Sequence, residues 1–495
     1  MRKILSTILL VMVAATATSK DNKPLTQVVI TAHTTLNAQQ KVEAHMKAGN
    51  YDGAIGIKLR GNSSLSFNQK KYTIELRTPD GKELDAPLLG MPAHSDWVLL
   101  APYNDVSAVR DPLAFQLWRD MGHWAPRTRM VELTLNGEYR GIYILAEAIK
   151  RGKDRVDIAK LKKTDTTGRD VTGGYLLRID TYNDDDATFI SKVPGIGDGI
   201  MTSEVVWSCI YPKKKNLQPE QMAYIQSYVD TVEQVIQSAD FANPTTGYAR
   251  YIDVPSFVDY FIHTELSINA DGYKRSAYFY KEKQNADGSG GKLVAGPVWD
   301  YNLAYGNCNF SNANNLEAGC FEGASNSPTP ALWQRVLQDP AFRRAVKQRY
   351  QSLRKGVLSL KSLYAYIDRH AQQLAPSLDH HFQTYPELLV SETEKNQPAA
   401  QPFGTFGGGF PPMPDFSAMG GFPMMGGFNA IGMFAAYRVS SYAEEIKTLK
   451  QWLADRLAFL DRNIERFDQD WQPRIQEPRE IKMQMPMFPA GGFGF

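Results

Sequence analysis

The chain has 495 residues, of which 43% are apolar and 22% charged, and its 55 Lys and Arg nearly balance 53 Asp and Glu. That is enough apolar sequence for a substantial core in one large domain or two. A near-neutral balance removes the electrostatic case for nucleic acid or an acidic membrane as partner, and no run of about 18 apolar residues marks a membrane span.

Residues 1–17, MRKILSTILLVMVAATA, place Arg2 and Lys3 before an apolar stretch from Ile4 to Val13 and close on Ala15-Thr16-Ala17. A basic start, a short apolar run and small residues predict a secretory signal peptide cleaved after Ala17, and so export to the periplasm, cell surface or medium. No cysteine follows the cleavage region to carry a lipid anchor. In an oxidising compartment Cys308 and Cys320, a short loop apart, are candidates for a disulfide, which leaves Cys209 as a small buried hydrophobe.

Strand signals come first. Gln27–Ile30 and Ile55–Arg60 are rich in β-formers, and Lys71–Arg77 alternates so that Tyr72, Ile74 and Leu76 share the core face. Asp80-Gly81 marks a tight turn, and Trp97–Leu100 reads as a buried run. Asp111-Pro112 starts a helix with Leu113, Leu117, Trp118 and Met121 on one face and Gly122 as its stop. Met130–Leu135 and Tyr139–Leu145, joined by Asn136-Gly137, predict a two-residue hairpin. The pairing expected for this N-terminal region is antiparallel. Gly173–Asp180 is another strand, followed by the acidic, solvated run Asp184-Asp185-Asp186 and a glycine-rich loop.

Helices dominate the second half. Pro219 opens one in which Met222, Ile225, Val229, Val232 and Ile236 recur at helical spacing, and Asp253-Val254-Pro255 opens another with Phe257, Phe261 and Ile262. Further helical patterns cover residues 340–354 and 361–374, and Ile446, Leu449, Leu453, Leu457, Leu460 and Ile464 form one stripe within 442–467. Between 397 and 436 Gly, Pro, Met and Phe replace any periodicity, which predicts a disordered insertion between helices. The expected division is a signal peptide at 1–17, one domain over 25–396, the insertion at 397–436, a returning helix at 437–470 and a flexible tail at 471–495.

Several chemistries have no motif here: GxSxG, GK[ST], HExxH and CxxC are absent, and the eight His show no metal spacing. What remains is a polar loop, Arg60-Gly61-Asn62-Ser63-Ser64, with Lys70 and Lys71; Arg110-Asp111 at a helix start; Asn136-Gly137 with Tyr139 and Glu147; Asp271 in a glycine-containing turn; and Trp299-Asp300 with Asn302. Alone, Asp300 would serve equally as a turn cap. Together the set suits phosphate chemistry, in which loop donors and cationic side chains meet phosphate oxygens while separated acids hold magnesium and orient a hydroxyl.

The ordered segments IKLRGNSSLSFNQKKYTIEL, VRDPLAFQLWRDMG, VELTLNGEYRGIYILAEAI, GGYLLRID, ELSINADGYKRSAYFYKE and GPVWDYNLAYGN resemble the spore-coat CotH kinase family, over roughly residues 50 to 310, and QWLADRLAFLD resembles its C-terminal portion. The resemblance implies an α+β, atypical protein-kinase-like fold with an N-terminal antiparallel sheet region and a helix-rich C-terminal region. It implies ATP and Mg2+ as cofactors and transfer to Ser or Thr of secreted or envelope proteins. By the same resemblance Asp300 is the magnesium-holding acid, with Asn302 beside it, and Asp271 is the catalytic-loop acid facing the substrate hydroxyl or a second metal. Arg60, Asn62 and Ser63 belong to the cofactor-binding loop. Lys71, pointing away from the core side of its strand, is the first choice for the phosphate lysine and Lys70 the second, and Glu147 is an acid near the adenine-binding connection. One departure stands out: Lys274, Arg275 and Ser276 occupy the neighbourhood where many relatives carry a metal-binding Asn. The alternatives are an envelope or coat assembly protein that keeps the fold without catalysis, and a nucleotidyl transferase.

Overall fold

The structure, a computed structural model, describes residues 23–195, 204–308, 315–317, 319, 329–395 and 438–470. The predicted signal peptide, insertion and tail lie outside the described residues, and so does Cys320 with its predicted pairing. The chain is α+β. Its N-terminal part runs β1 (Thr26–Ala32), β2 (Val42–Ala48), β3 (Tyr51–Arg60), β4 (Lys71–Leu76), β5 (Ala86–Leu88), β6 (Met91–His94), β7 (Asp96–Leu100), α1 (Arg110–Asp120), β8 (Thr128–Leu135) and β9 (Glu138–Glu147).

Seven of these strands close into a barrel in the order β1-β2-β3-β4-β7-β9-β8, while β5 and β6 pair separately. Alternation decides what fills it: Tyr72, Ile74 and Leu76 of β4 point inward beside Ile57, Trp97, Leu99, Val131, Leu133, Tyr143 and Leu145. The predicted hairpin forms between β8 and β9, with Asn136 and Gly137 at φ 53° and 81°, the left-handed pair that a two-residue turn requires.

The expectation of antiparallel pairing throughout is corrected at one seam. β1 runs parallel to β8, Thr26 opposite Val131 and Ile30 opposite Leu135. About a hundred residues separate the two strands, enough to carry the chain back to the same end, and closure leaves no open sheet edge. β2 was also not anticipated, although VEAHMKA alternates with Val42, Met46 and Ala48 turned inward.

The second half adds an antiparallel sheet in the order β11-β12-β10-β13-β14, built from β10 (Tyr175–Ile179), β11 (Ala187–Ile190), β12 (Val206–Tyr211), β13 (Ala277–Lys281) and β14 (Leu293–Ala295). Around it lie α2 (Pro219–Gln237), α3 (Val254–Ser267), α4 (Ala331–Leu337), α5 (Pro340–Arg354), α6 (Leu360–Leu374), α7 (Leu378–Thr384) and α8 (Tyr442–Ile464). The Asp253 carboxylate caps α3 by accepting from the Ser256 N–H, and Pro255 sits in its first turn. A second core joins α1, this sheet and the helices, and Cys209 is buried within it as predicted. α1 belongs to both halves, because Leu113, Leu117 and Trp118 face that core while its chain neighbours β7 and β8 are barrel staves.

Candidate functional site

Arg60 ends β3 opposite Lys71, the first residue of β4, so the polar loop 61–70 hangs from that end of the barrel. Gly61 turns the chain there at φ 120°, where a β-carbon would stand 1.9 Å from the Ser64 hydroxyl oxygen. Since Tyr72 enters the barrel, Lys71 must leave it. Its Nζ lies 3.9 Å from Asp300 Oδ1. Lys70 instead donates to the Leu65 carbonyl at 2.7 Å, which ties down the loop, and burial pushes its ammonium pKa down. Asn62 contributes its carbonyl to the Leu65 N–H, and Ser63 opens the short helical turn Ser63–Ser66.

Asp300 comes five residues after β14 and adopts φ 66°, a conformation that Asp tolerates better than most residues. Its flanks are fixed on both sides. The Trp299 indole stacks on Phe115 of α1 and carries the Arg60 guanidinium 5.3 Å over its ring. The Tyr301 N–H donates to Asp111 Oδ1 at 2.6 Å, while Asn269 Nδ2 donates to the Asp300 carbonyl at 3.2 Å. Asn269 also accepts the Asp271 N–H, so one amide side chain links the two turns that carry Asp271 and Asp300. Asn302 donates to Asn104 Oδ1 at 2.8 Å, and Asn307 Nδ2 reaches the Asn104 and Asn302 carbonyls.

The electrostatics follow from this crowding. Burial pushes the Asp111 carboxyl up to about 7, and the charge of Asp300 adds to it, against the opposing Lys71 charge and Tyr301 N–H. Burial and Asp300 push Asp271 up to about 6, against Arg275 and Lys274. Three carboxylates therefore share one region, with Lys71 facing Asp300 and with Lys274 and Arg275 on the Asp271 side, and the net upward push on Asp111 and Asp271 is one that a bound cation would relieve. Among the described residues no three His, Cys, Asp or Glu side chains converge closely enough to hold a metal unaided. Magnesium needs less, since it is commonly held by one or two carboxylates together with substrate phosphates and water.

Beneath the acids a buried ion triad locks α1. Arg110 Nη1 lies 2.5 Å from Asp105 Oδ1 and 2.6 Å from Glu445 Oε1 of α8, and its Nε donates to the Ala304 carbonyl. Asn104, Asp105, Asn269, Asn307 and Glu445 were not singled out in the sequence. The signal for the first two was present: Asn104-Asp105 follows the buried run of β7 much as Asp300 follows β14.

Glu147 is not brought to this cluster. It is fully buried at the end of β9, held by Arg127 through Nε and Nη2 at 2.9 and 3.0 Å, with Arg155 Nε at 3.5 Å. It pairs with Trp97, whereas Lys71 adjoins the Leu100 level, about 10 Å further along the strands. His380 and His381, which follow each other in sequence, diverge: His381 accepts the Ile142 N–H, and His380 stacks on Tyr139.

Residues 57–460 match the family described as CotH kinase protein. The chain is also similar to inner spore coat protein H of Bacillus subtilis (strain 168), at 22% identity over 339 residues that cover 68% of this chain and 80% of that protein. No described helix is long and apolar enough to cross a membrane.

Proposed function

The chain belongs to the CotH kinase protein family, and from that premise we propose that it is an exported, atypical protein kinase, transferring the γ-phosphoryl group of ATP to Ser or Thr hydroxyls of secreted or envelope proteins. The observation that carries this reading is the convergence of Lys71, Asp111, Asp271 and Asp300 where the barrel end meets the α3 and β14 turns. The order of strands, single helix and hairpin before a helix-rich half supports the kinase-like element of the fold.

The donor set fits magnesium and a nucleotide, because burial and the Asp300 charge hold Asp111 and Asp271 above the usual carboxylate range despite the nearby cations, a strain that a bound cation would relieve. Asp300, partly exposed beside Lys71, is the residue to hold the metal, with Asp271 second and Asn302 supporting the turn through Asn104. Bound metal-nucleotide supplies the phosphoryl group and neutralises charge on it. The chain's own residues do the rest. Lys71 offers its ammonium to phosphate oxygens, and Arg60, Asn62 and Ser63 border the loop beside it. Asp271 is the better proton acceptor for the substrate hydroxyl, since Asp111 is closed in and already accepts the Tyr301 N–H. Burial holds the Asp271 carboxyl above the usual carboxylate range, which makes its ionised form a stronger acceptor for the hydroxyl proton.

The second reading is a coat or envelope assembly protein that keeps this site without catalysis, favoured by the name of the Bacillus relative. Mass spectrometry of the mature chain and candidate substrates after incubation with magnesium-ATP separates the readings. Added phosphate supports the kinase, added adenylate points to nucleotidyl transfer, and no modification favours assembly.

A further inference from the structure

Away from the acid cluster, a cleft of about 310 Å3 opens between α1, the start of β8 and α6. Its walls are Gln116 and Arg119 of α1, Arg127 to Met130, and Tyr366, His370 and Gln373 of α6. Arg119 stands about 12 Å along the helix from Asp111, so this is a separate place on the molecule. Three guanidinium groups line it and no carboxylate does.

Their hydrogen bonds leave the cationic charge largely unanswered. Arg119 donates to the Pro126 carbonyl and to Gln116 Oε1, and Arg129 to the Leu89 and Thr128 carbonyls, so neither has an acid partner among the described residues. Arg127 pairs with the buried Glu147, which it shares with Arg155. Asp120 lies nearby, exposed and bonded to Gln116 Nε2, but does not line the cleft. His370 Nδ1 is shielded from solvent and has no hydrogen-bond partner, while the ring packs against Tyr366 at 4.5 Å between centroids.

We infer that this cleft is an anion site that binds a phosphoryl group. Guanidinium forks suit the tetrahedral, doubly charged phosphate monoester better than a single carboxylate, and two unpaired arginines match its charge. The volume exceeds that of one phosphate ion and accommodates the residue that carries it. The Gln116 and Gln373 amides supply neutral hydrogen-bonding groups around the charge. Two sources share this chemistry, free inorganic phosphate and a phosphorylated Ser or Thr side chain of a protein.

The test is calorimetric titration of the full mature chain, without ATP, using inorganic phosphate, a phosphoserine peptide and the same peptide unphosphorylated. Both phosphorylated probes are expected to bind and the plain peptide not to, with the phosphopeptide tighter if the ligand is a phosphoprotein and equal if it is free phosphate. Arg129→Gln keeps hydrogen-bonding capacity at an exposed position and removes one charge, and it is expected to weaken binding by about tenfold. Gln373→Ala, on the exposed side of α6, is the second variant and should weaken binding less, while melting temperatures confirm folding. Phosphopeptide binding retained in Lys71→Ala assigns it to this cleft and separates it from the proposed transfer site. Absence of phosphate-dependent binding, or binding lost in Lys71→Ala and retained in Arg129→Gln, overturns the inference. Phosphoryl transfer itself is read separately, by mass spectrometry after incubation with magnesium-ATP.

Discussion

At Asp111 burial and the neighbouring Asp300 charge act in the same direction, and both work against ionisation. A carboxyl whose folded pKa lies above its unfolded value, near 4, contributes stability that is complete below about pH 4 and is lost as pH rises through the folded value. For Asp111 the loss runs from about pH 4 to about 7, and for Asp271 to about 6. Without magnesium, wild type should therefore lose stability relative to Asp111→Asn across that window, on the order of 1–3 kcal/mol. Parallel melting curves from pH 4 to 8 would remove the assignment, and saturating magnesium-ATP should flatten the difference. The same logic makes Asp300→Asn informative. Removing its charge relieves both neighbours, so the metal-free variant should melt no lower than wild type while transfer nearly vanishes. A folded Asp300→Asn that still transfers phosphate would return Asp300 to the role of a turn residue. Between the lysines, Lys71→Ala should weaken nucleotide binding more than Lys70→Ala, because Lys70 Nζ is committed to the Leu65 carbonyl. Equal losses in calorimetry would contradict that.

Among elements, α1 bears most of the burden. Its first turn presents Asp111 to the acid cluster, Phe115 stacks under Trp299, and Arg110 reaches α8 through Glu445. α8 thus holds α1, and α1 holds the Asp300 turn. Glu445→Ala removes one of the two carboxylates that meet the buried Arg110 and should destabilise the protein by about 3–5 kcal/mol, as loss of one partner in a buried pair does. Denaturant unfolding measures this, and a change below about 1 kcal/mol would show that the triad is not holding the helices together. The stripe that revealed α8 in the sequence, Ile446 to Ile464, accounts for its packing, with Ile446, Leu449, Leu453 and Leu457 buried and Leu460 and Ile464 partly so. It says nothing about Glu445, which lies one residue outside the stripe and makes the long-range contact.

For the molecule as a whole, the stretch from 397 to 436 interrupts the helical half without separating its flanks. The Val390 N–H donates to the Val439 carbonyl at 3.0 Å, Ser440 Oγ bonds Glu392, and Lys395 pairs with Glu444. The two sides are already adjacent, so deleting 397–436 shortens the loop between fixed ends and should cost less than about 1 kcal/mol. A fall in melting temperature of more than a few degrees would mean that the stretch packs on the domain. What the sequence by itself determined is local: the inward face of β4, the Asn136-Gly137 hairpin, the Asp253 and Pro255 start of α3, the α8 stripe, and the segments that marked the family. Each depends on side-chain periodicity or on a backbone preference within a few residues, and neither needs a distant partner. Only the tertiary structure decided that β1 lies parallel to β8, that Lys71 meets Asp300, that Glu147 is spent on Arg127 and Arg155, and that Asp111 stands among the acids. Apart from the Glu147–Arg155 contact, those outcomes join residues 20 to 229 positions apart. Alternation settles which face a residue takes but not which neighbour it meets, and a carboxyl acquires a shifted pKa only when folding has fixed what surrounds it.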